Sequence, residues 1–272
     1  MISISYYTMP KIYLKRELKK DKKIYKSKSI DHIQSKDSYS DLGTYMYRKT
    51  FVPEIKPELI PFEESYWKKV FPIEGPKGKI SDSDFKKLQI SNIGGYSIFL
   101  PKYANALSKV LRSYFPDKEK VTITDATSNM GGAILGFCRF FDKVNAVEIV
   151  PLHCQILRNN LKLYKVDDQV EITCDDYIDV YKNLKQDMIF FDPPWGGTNY
   201  KSKIIFNLEL DNIPIDKIFK ELLELKSAKY LAMRLPFNYD FKKLFSITDK
   251  IIIHSFYRDD GKLSFFLAVI EV

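Results

Sequence analysis

The chain has 272 residues, 45% of them hydrophobic and 14% aromatic, which is enough for one sizeable core. Its formal net charge at pH 7 is +8, from 43 basic and 35 acidic residues. No apolar run is long enough to span a bilayer, and the first residues lack the apolar core of a signal peptide. We therefore expect an intracellular protein, nuclear or cytoplasmic, that does not contact a membrane.

The positive charge is concentrated between residues 11 and 28. This span holds nine basic residues and two acidic ones, a balance of +7 (9 − 2), so the rest of the chain is close to neutral. We expect residues 1–50 to form a flexible basic arm, which suits a polyanion such as RNA. The alternative is a solvated tail that serves solubility alone.

The three cysteines, Cys138, Cys154 and Cys174, are scattered along the chain, and no pair has CxxC spacing. Neither a zinc site nor a disulfide framework is predicted from this pattern. We expect three reduced thiols in the core of the protein and no bound metal.

Residues 51–118 contain short helical segments separated by prolines. Five prolines interrupt 51–81, and short helices are predicted over 62–70 and 101–115, the second opening with Pro101. We expect a small helical N-terminal lobe that contributes to the substrate and cofactor site.

From residue 119 to the C-terminus, apolar strands alternate with helices. Strands are predicted over 121–128, 143–149, 169–174, 187–191 and 229–235, and helices over 131–141, 151–164 and 215–225. The segments 250–257 and 264–272 predict a terminal antiparallel hairpin. This alternation indicates an α/β domain over 119–272 with a mainly parallel sheet covered on both faces.

Acidic residues stand at the ends of four successive predicted strands. They are Asp125, Glu148, the pair Asp175 and Asp176, and Asp192. Because ligands of such sheets bind outside the carboxyl ends of the strands, we expect these acids to share one rim. An acid after the second strand can hold ribose hydroxyls, which dinucleotides and S-adenosylmethionine both offer. The turn after the first predicted strand contains Gly131 and Gly132 but does not match GxGxxG, so it gives little support to a dinucleotide-binding site.

The stretch MIFFDPPWGG at 188–197 favours methyl transfer to an exocyclic amine. Two prolines cannot continue a strand, so the chain leaves it at Asp192, and we expect Trp195 to be shown to solvent. Asp192 and the rigid proline carbonyls would accept the amine hydrogens and so orient its lone pair. Trp195 would stack on the base, which is worth ~1–3 kcal/mol, with a further gain if the base is a cation.

With these features together, residues 192–200 (DPPWGGTNY) resemble the trimethylguanosine synthases, the RNA cap guanine-N2 methyltransferases. The Pro-Pro-Trp-Gly-Gly-x-x-Tyr block of that family is matched from Pro193 to Tyr200. Similar segments are GYSIFLP at 95–101, RNNLKLY at 158–164 and LPFNYD at 235–240. The resemblance covers roughly residues 62–272.

The resemblance implies a Rossmann-like class I methyltransferase fold, with a mainly parallel seven-stranded sheet that ends in an antiparallel hairpin. It implies S-adenosylmethionine as cofactor, S-adenosylhomocysteine as product, and no metal. The substrate would be a 7-methylguanosine RNA cap, methylated on its 2-amino group. We expect a monomer that holds the RNA backbone through basic residues 11–28.

The resemblance also implies roles for individual residues. Catalytic roles fall on Asp192, Pro193, Pro194 and Trp195. Cofactor contacts fall on Tyr96, Asp125, Ala126, Thr127, Gly131, Gly132, Glu148, Ile149, Asp175, Asp176, Tyr177 and Asp192. Substrate contacts fall on Trp195, Asp192, Tyr200 and Asn238.

Four positions depart from the family pattern. Asp192 replaces a usual Ser, and its carboxylate would attract a cationic base or accept an amine hydrogen. Asn129 replaces the first glycine of the cofactor turn, and Asn tolerates positive φ better than most residues. Ala133 stands where Asn is usual, and Ser97 where Phe is usual.

Two alternative functions remain open from the sequence. One is an amino-methyltransferase acting on adenine or on another RNA guanine, since DPPW occurs in such enzymes too. In the adenine enzymes that motif usually precedes the cofactor turn, whereas here it follows Asp125 by 67 residues (192 − 125). The other is a homologue that binds caps or RNA with weakened catalysis or none.

Overall fold

The computed structural model describes residues 57–195, 207–210 and 213–272. The predicted basic arm, the two glycines that follow Trp195, and Tyr200 lie outside these ranges, as does the side chain of Tyr96.

Four short helices and a small hairpin precede the sheet. They are α1 (Glu64–Val70), β1 (Glu74–Gly75), β2 (Gly78–Lys79), α2 (Asp82–Phe85), α3 (Gly94–Ser97) and α4 (Pro101–Arg112). Pro101 occupies the first turn of α4, where its missing N–H costs no hydrogen bond. Both helices predicted in this part of the chain are present, although each is shorter than predicted.

The central sheet has seven strands, as predicted. In chain order they are β3 (Thr122–Asp125), β4 (Lys143–Val147), β5 (Val170–Thr173), β6 (Met188–Phe191), β9 (Tyr230–Leu235), β10 (Ile251–Tyr257) and β11 (Leu263–Glu271), in spatial order β10-β11-β9-β6-β3-β4-β5. The pairs from β9 to β5 are parallel, and β11 runs antiparallel to both of its neighbours. The mainly parallel sheet and its terminal hairpin are confirmed.

Helices cover both faces of this sheet, as the continuous apolar strands predict. They are α5 (Gly132–Phe137), α6 (Pro151–Leu163), α7 (Tyr177–Val180), α8 (Ile215–Leu225) and α9 (Phe241–Ile247), with a two-stranded ribbon of β7 (Glu209–Leu210) and β8 (Ile213–Pro214). In β6, Met188 and Phe190 belong to one apolar cluster, and Ile189 and Phe191 to the cluster on the other face. Among the helices that the structure describes, none has the length and apolar character needed to cross a bilayer.

The N-terminal helices pack into the same apolar cluster as one face of the sheet. Trp67 of α1, Leu107 of α4 and Phe190 of β6 are all members of this cluster. The side-chain amide of Asn160 ties the segment before α3 to α6, because it accepts from the N–H of Gln89 at 2.9 Å and donates to its carbonyl at 2.8 Å. The predicted boundary between 51–118 and 119–272 stays a prediction.

Two of the three cysteines form a disulfide, Cys154–Cys174, with Cα atoms 6.0 Å apart. The prediction of three reduced core thiols is therefore wrong for this pair, and Cys174 is moreover exposed. Strands β4 and β5 are neighbours, and α6 begins directly after β4, so its first turn lies beside the end of β5. Cys138 stays a free buried thiol, and burial raises its pKa to about 12.

Thiol counting tests this pairing. The full chain, denatured without reductant, is expected to show one reactive thiol, and three after reduction. Replacement Cys174→Ser should lower the free energy of unfolding by about 3 kcal/mol, because it frees a loop of about 20 residues in the unfolded chain. Three reactive thiols before reduction would contradict the disulfide.

Candidate active site

The predicted strand-end acids lie at one edge of the sheet. Strands β6, β3, β4 and β5 lie side by side in this order and are parallel. Asp125 ends β3, and Asp192, Glu148 and Asp176 follow β6, β4 and β5 respectively. Backbone bonds continue the ladder beyond the strand ends: Ala126 donates to Phe190 at 2.9 Å and Glu148 donates to Thr173 at 3.1 Å. The shared rim is therefore fixed by the sheet itself.

Asp125 is almost completely buried at this rim, with 1% of its surface exposed. One carboxylate oxygen accepts a hydrogen bond from the N–H of Thr127 at 3.1 Å. Burial raises the pKa of Asp125 well above its usual range, and the charges of Asp192 and Glu148 raise it further. A cationic group placed beside these acids would lower the pKa again and so would be bound favourably.

The cofactor-type turn between β3 and α5 has the backbone that the sequence predicts. Asn129 has φ 51°, so asparagine holds the left-handed conformation in place of the family's usual glycine, and Gly131 has φ 92°. The side chain of Asn129 donates to the hydroxyl of Ser97 at 2.9 Å. Two departures from the family pattern therefore bind each other across 32 residues of sequence.

Gly132 is required by packing within the protein. A Cβ at this position would lie 2.5 Å from the carbonyl oxygen of Phe99 and 2.6 Å from its nitrogen. The segment between α3 and α4 therefore rests directly on the first turn of α5. The predicted contact of Gly132 with a cofactor stays a prediction, and so does that of the adjacent Gly131.

Glu148 is held by backbone donors from two sides. Its oxygens accept from the N–H of Asn129 at 2.7 Å and from the N–H of Val150 at 2.9 Å. Ile149, between Glu148 and Val150, is half-buried. The ring of His153 stands 3.6 Å away and pairs with the hydroxyl of Ser91 at 2.9 Å. This geometry fixes the carboxylate in one orientation at the end of β4.

Asp176 combines a structural bond with an unsatisfied oxygen. Its Oδ1 accepts from the N–H of Ile178 at 2.9 Å and so caps α7. Its Oδ2 is buried and has no hydrogen-bond partner among the described residues. Asp175 is exposed, whereas Tyr177 is buried, with its ring centroid 5.2 Å from that of Phe191. A buried acceptor of this kind is suited to a ligand that brings a donor.

Asp192 forms an ion pair with Arg234 of β9. The distance from Asp192 Oδ2 to Arg234 Nη1 is 2.7 Å, and 16% and 20% of the two side chains are exposed. Burial raises the pKa of Asp192, and the adjacent guanidinium opposes that rise. The backbone N–H of Asp192 donates to Thr127 Oγ1 at 2.9 Å, which joins the β6 and β3 ends.

Sequence reasoning missed Arg234. The available signal was a single charged residue inside the apolar strand YLAMRL, since arginine is almost never buried unless it is paired. Pairing with Asp192 could not be found from spacing, because it depends on the adjacency of β6 and β9.

Trp195 is half-buried and packs against both apolar clusters. The prediction that the loop shows this side chain to solvent is therefore wrong in part. The guanidinium carbon of Arg234 lies over the indole at 4.4 Å from its centroid. Strand β6 ends at Phe191, so the chain leaves the sheet at Asp192 as predicted, and of the two prolines that follow Pro193 is buried and Pro194 exposed. Asn238 is half-buried beyond the end of β9, at the same edge.

The part of the chain that carries this rim is similar to a family of known proteins. A profile of the RNA cap guanine-N2 methyltransferases matches residues 120–267, more than half of the chain. The chain belongs to this family. The matched region contains every strand-end acid, Trp195 and Arg234.

Two relatives of the chain are trimethylguanosine synthases. It is 30% identical over 156 residues to the trimethylguanosine synthase of Schizosaccharomyces pombe, covering 55% of this chain and 63% of that one. It is 27% identical to the Saccharomyces cerevisiae enzyme of the same name, covering 58% and 51%. An uncharacterized protein of Acanthamoeba polyphaga mimivirus is 35% identical, covering 52% and 57%. The match thus spans between half and two thirds of these relatives.

Solved structures that are similar to part of this chain include proteins described as methyltransferases. An O-methyltransferase from Bacillus cereus in complex with SAH has a TM-score of 0.46 at 14% identity, covering 63% of this chain and 81% of that one. A putative RNA methyltransferase from Pyrococcus horikoshii has a TM-score of 0.41 at 16% identity, covering 62% and 82%. The strand order and the family membership indicate the Rossmann-like methyltransferase fold.

The buried charge of Asp125 predicts a stabilising substitution. Because the folded chain raises the pKa of this group, its stabilising contribution is present below the unfolded pKa of about 3.9 and is lost as pH rises through the folded pKa. Asp125→Asn should therefore raise the urea midpoint at pH 7, and this gain should vanish below about pH 4.

Asp167→Asn, at an exposed position, controls for the loss of one negative charge. The same gain in both variants, or a gain for Asp125→Asn that does not depend on pH, would contradict the assignment of a buried charge to Asp125.

Proposed function

We propose that this protein transfers a methyl group from S-adenosylmethionine to the exocyclic 2-amino group of a 7-methylguanosine RNA cap. The product would be a 2,7-dimethyl- or 2,2,7-trimethylguanosine cap. The observation that carries the proposal is the position of Trp195, a half-buried aromatic ring on the loop that leaves β6 at the sheet edge where Asp125, Glu148, Asp176 and Asp192 end or follow their strands.

The acids fit the proposed cofactor. S-adenosylmethionine offers an ammonium group, two ribose hydroxyls and an adenine amine, all of them donors. The rim offers Asp125 with a raised pKa, the oriented carboxylate of Glu148, and the unpaired Oδ2 of Asp176. We infer that these three acids receive the ammonium, the ribose and the adenine in that order. The cofactor supplies an electrophilic methyl group on a sulfonium.

The loop after β6 would receive the substrate. Trp195 stacks on the guanine, which is worth ~1–3 kcal/mol for a base and more for a cationic one. Carbonyls of Pro193 and Pro194, with Asp192 beside them, accept hydrogens of the 2-amino group. These contacts would orient the amine lone pair. When the amine gains the methyl group it loses one hydrogen as a proton, and S-adenosylhomocysteine is released. Positioning of this kind is the main contribution that the chain makes to the transfer.

A methyl-transfer assay tests the proposal. The full chain is incubated with labelled S-adenosylmethionine and either 7-methyl-GTP or GTP, and label in the nucleotide is measured. We expect transfer to 7-methyl-GTP. Trp195→Ala should lose the stacking energy and so weaken cap binding by roughly 5- to 150-fold, with cofactor affinity by calorimetry largely unchanged.

Trp195→Phe is the matched control, since it keeps an aromatic plane and should retain part of the activity. Equal turnover by wild type and Trp195→Ala would refute the stacking role. Cap binding with no measurable transfer would instead favour a binding protein, and labelling of RNA at internal bases would favour another amino-methyltransferase.

The basic residues 11–28 are proposed to hold the RNA backbone near the cap. Deletion of residues 1–30 should weaken association with a capped RNA oligonucleotide and reduce the dependence of log K on log salt, because fewer counterions are released. Binding of 7-methyl-GTP alone should not change. An unchanged salt slope would show that the arm is only a tail.

A further inference from the structure

Arg234 occupies an aromatic cage at the end of β9. Its guanidinium carbon lies 4.4 Å from the ring centroid of Trp195, 4.6 Å from that of Phe99 and 4.9 Å from that of Phe265. These rings come from the loop after β6, the segment between α3 and α4, and β11. The charged partner of the guanidinium is Asp192, at 2.7 Å.

Arg234, held in this cage, contacts one face of the indole of Trp195 and restrains it. Arg234 is fixed by three rings and one carboxylate, so its planar head is a rigid surface on which the indole can rest. One face of the indole is thereby covered by a cation, and any stacked base must use the other face.

Charge on the covered face affects what the other face can bind. An indole attracts cations through the negative potential of both faces. Arg234 behind the ring would repel a second cation in front of it, and in this poorly hydrated place the repulsion would be only weakly screened. Asp192 offsets that repulsion, because the carboxylate and the guanidinium together have no net charge.

We propose that Asp192 and Arg234 act together as a specificity-determining support for Trp195. Arg234 fixes the plane of the indole, and Asp192 neutralises the charge of Arg234, so that the face of the indole opposite Arg234 accepts a positively charged base. This inference rests on the proposed function, because it concerns the same cap site. It also explains why this chain has Asp192 where the family usually has Ser: the arginine at 234 requires a carboxylate.

Binding of a cationic and an uncharged base by the full chain tests the proposal. The dissociation constants of 7-methyl-GTP and GTP are measured by calorimetry, and their ratio is compared between wild type and variants. Asp192→Asn leaves the guanidinium uncompensated, so the preference for 7-methyl-GTP should fall on the order of tenfold. The double variant Asp192→Asn with Arg234→Met has no charge behind the ring, and the preference should return toward that of wild type.

Glu171→Gln is the matched control, because it removes one acidic partner from the exposed pair with Lys143. A purely structural role would weaken both nucleotides equally and would give no recovery in the double variant. If Asp192→Asn does not fold, Arg234→Met is compared with the double variant. In Arg234→Met the carboxylate of Asp192 stays without its cation, so the preference for 7-methyl-GTP should be higher than in the double variant.

The outcomes separate this inference from the proposed function. A wild-type chain that binds 7-methyl-GTP in preference to GTP, with a ratio unchanged by Asp192→Asn, would overturn the support and leave the cap function standing. A wild-type chain with no preference for 7-methyl-GTP would contradict the cap function, and the support with it.

Discussion

Parallel alignment of four neighbouring strands is the constraint on which the rest of the site depends. Because β6, β3, β4 and β5 point the same way, the residues that follow them meet at one edge, and this edge collects four carboxylates. Buried carboxylates repel each other because water does not screen their charges. Each of these acids has its own compensating interaction. Asp125 accepts a backbone donor, Glu148 two of them, Asp176 caps a helix, and Asp192 pairs with arginine. The rim is thus acidic without being a single uniform patch.

The sheet could be predicted closely from the sequence because its strands are buried on both faces and are read as continuous apolar runs. Strand β6 (MIFF) is one residue shorter than the predicted 187–191, and α8 has the predicted bounds, since their apolar periods are unbroken. Prediction failed where local signals conflict. The run 131–141 looks helical throughout, yet α5 ends at Phe137, and the short hairpin of β1 and β2, which turns at Pro76 and Lys77, lies in a segment where only helices are predicted.

Contacts between distant residues were the part that sequence alone could not supply. Asn129 with Ser97, Asp192 with Arg234, and Cys154 with Cys174 are each brought together by strand order or by packing of the N-terminal segment on α5. In the sequence, the two residues of each pair are far apart and look like unrelated substitutions or scattered cysteines. In two cases an unusual residue is accompanied by a partner that makes it acceptable, so departures from a family pattern are better assessed in pairs than singly.

The N-terminal helices belong to the folded unit although the family match does not include them. The family profile begins at residue 120, but one face of its sheet is covered by α1 and α4, with Trp67, Leu107 and Leu111 fully buried there. A Cβ added at Gly136 of α5 would lie 2.8 Å from the backbone of Ala104 in α4, so these two helices pack closely against each other at this glycine. A chain cut at residue 120 would leave a broad apolar surface in water and would be prone to aggregate. A folded domain built on this sheet therefore needs a layer that covers that face, whatever the sequence of that layer.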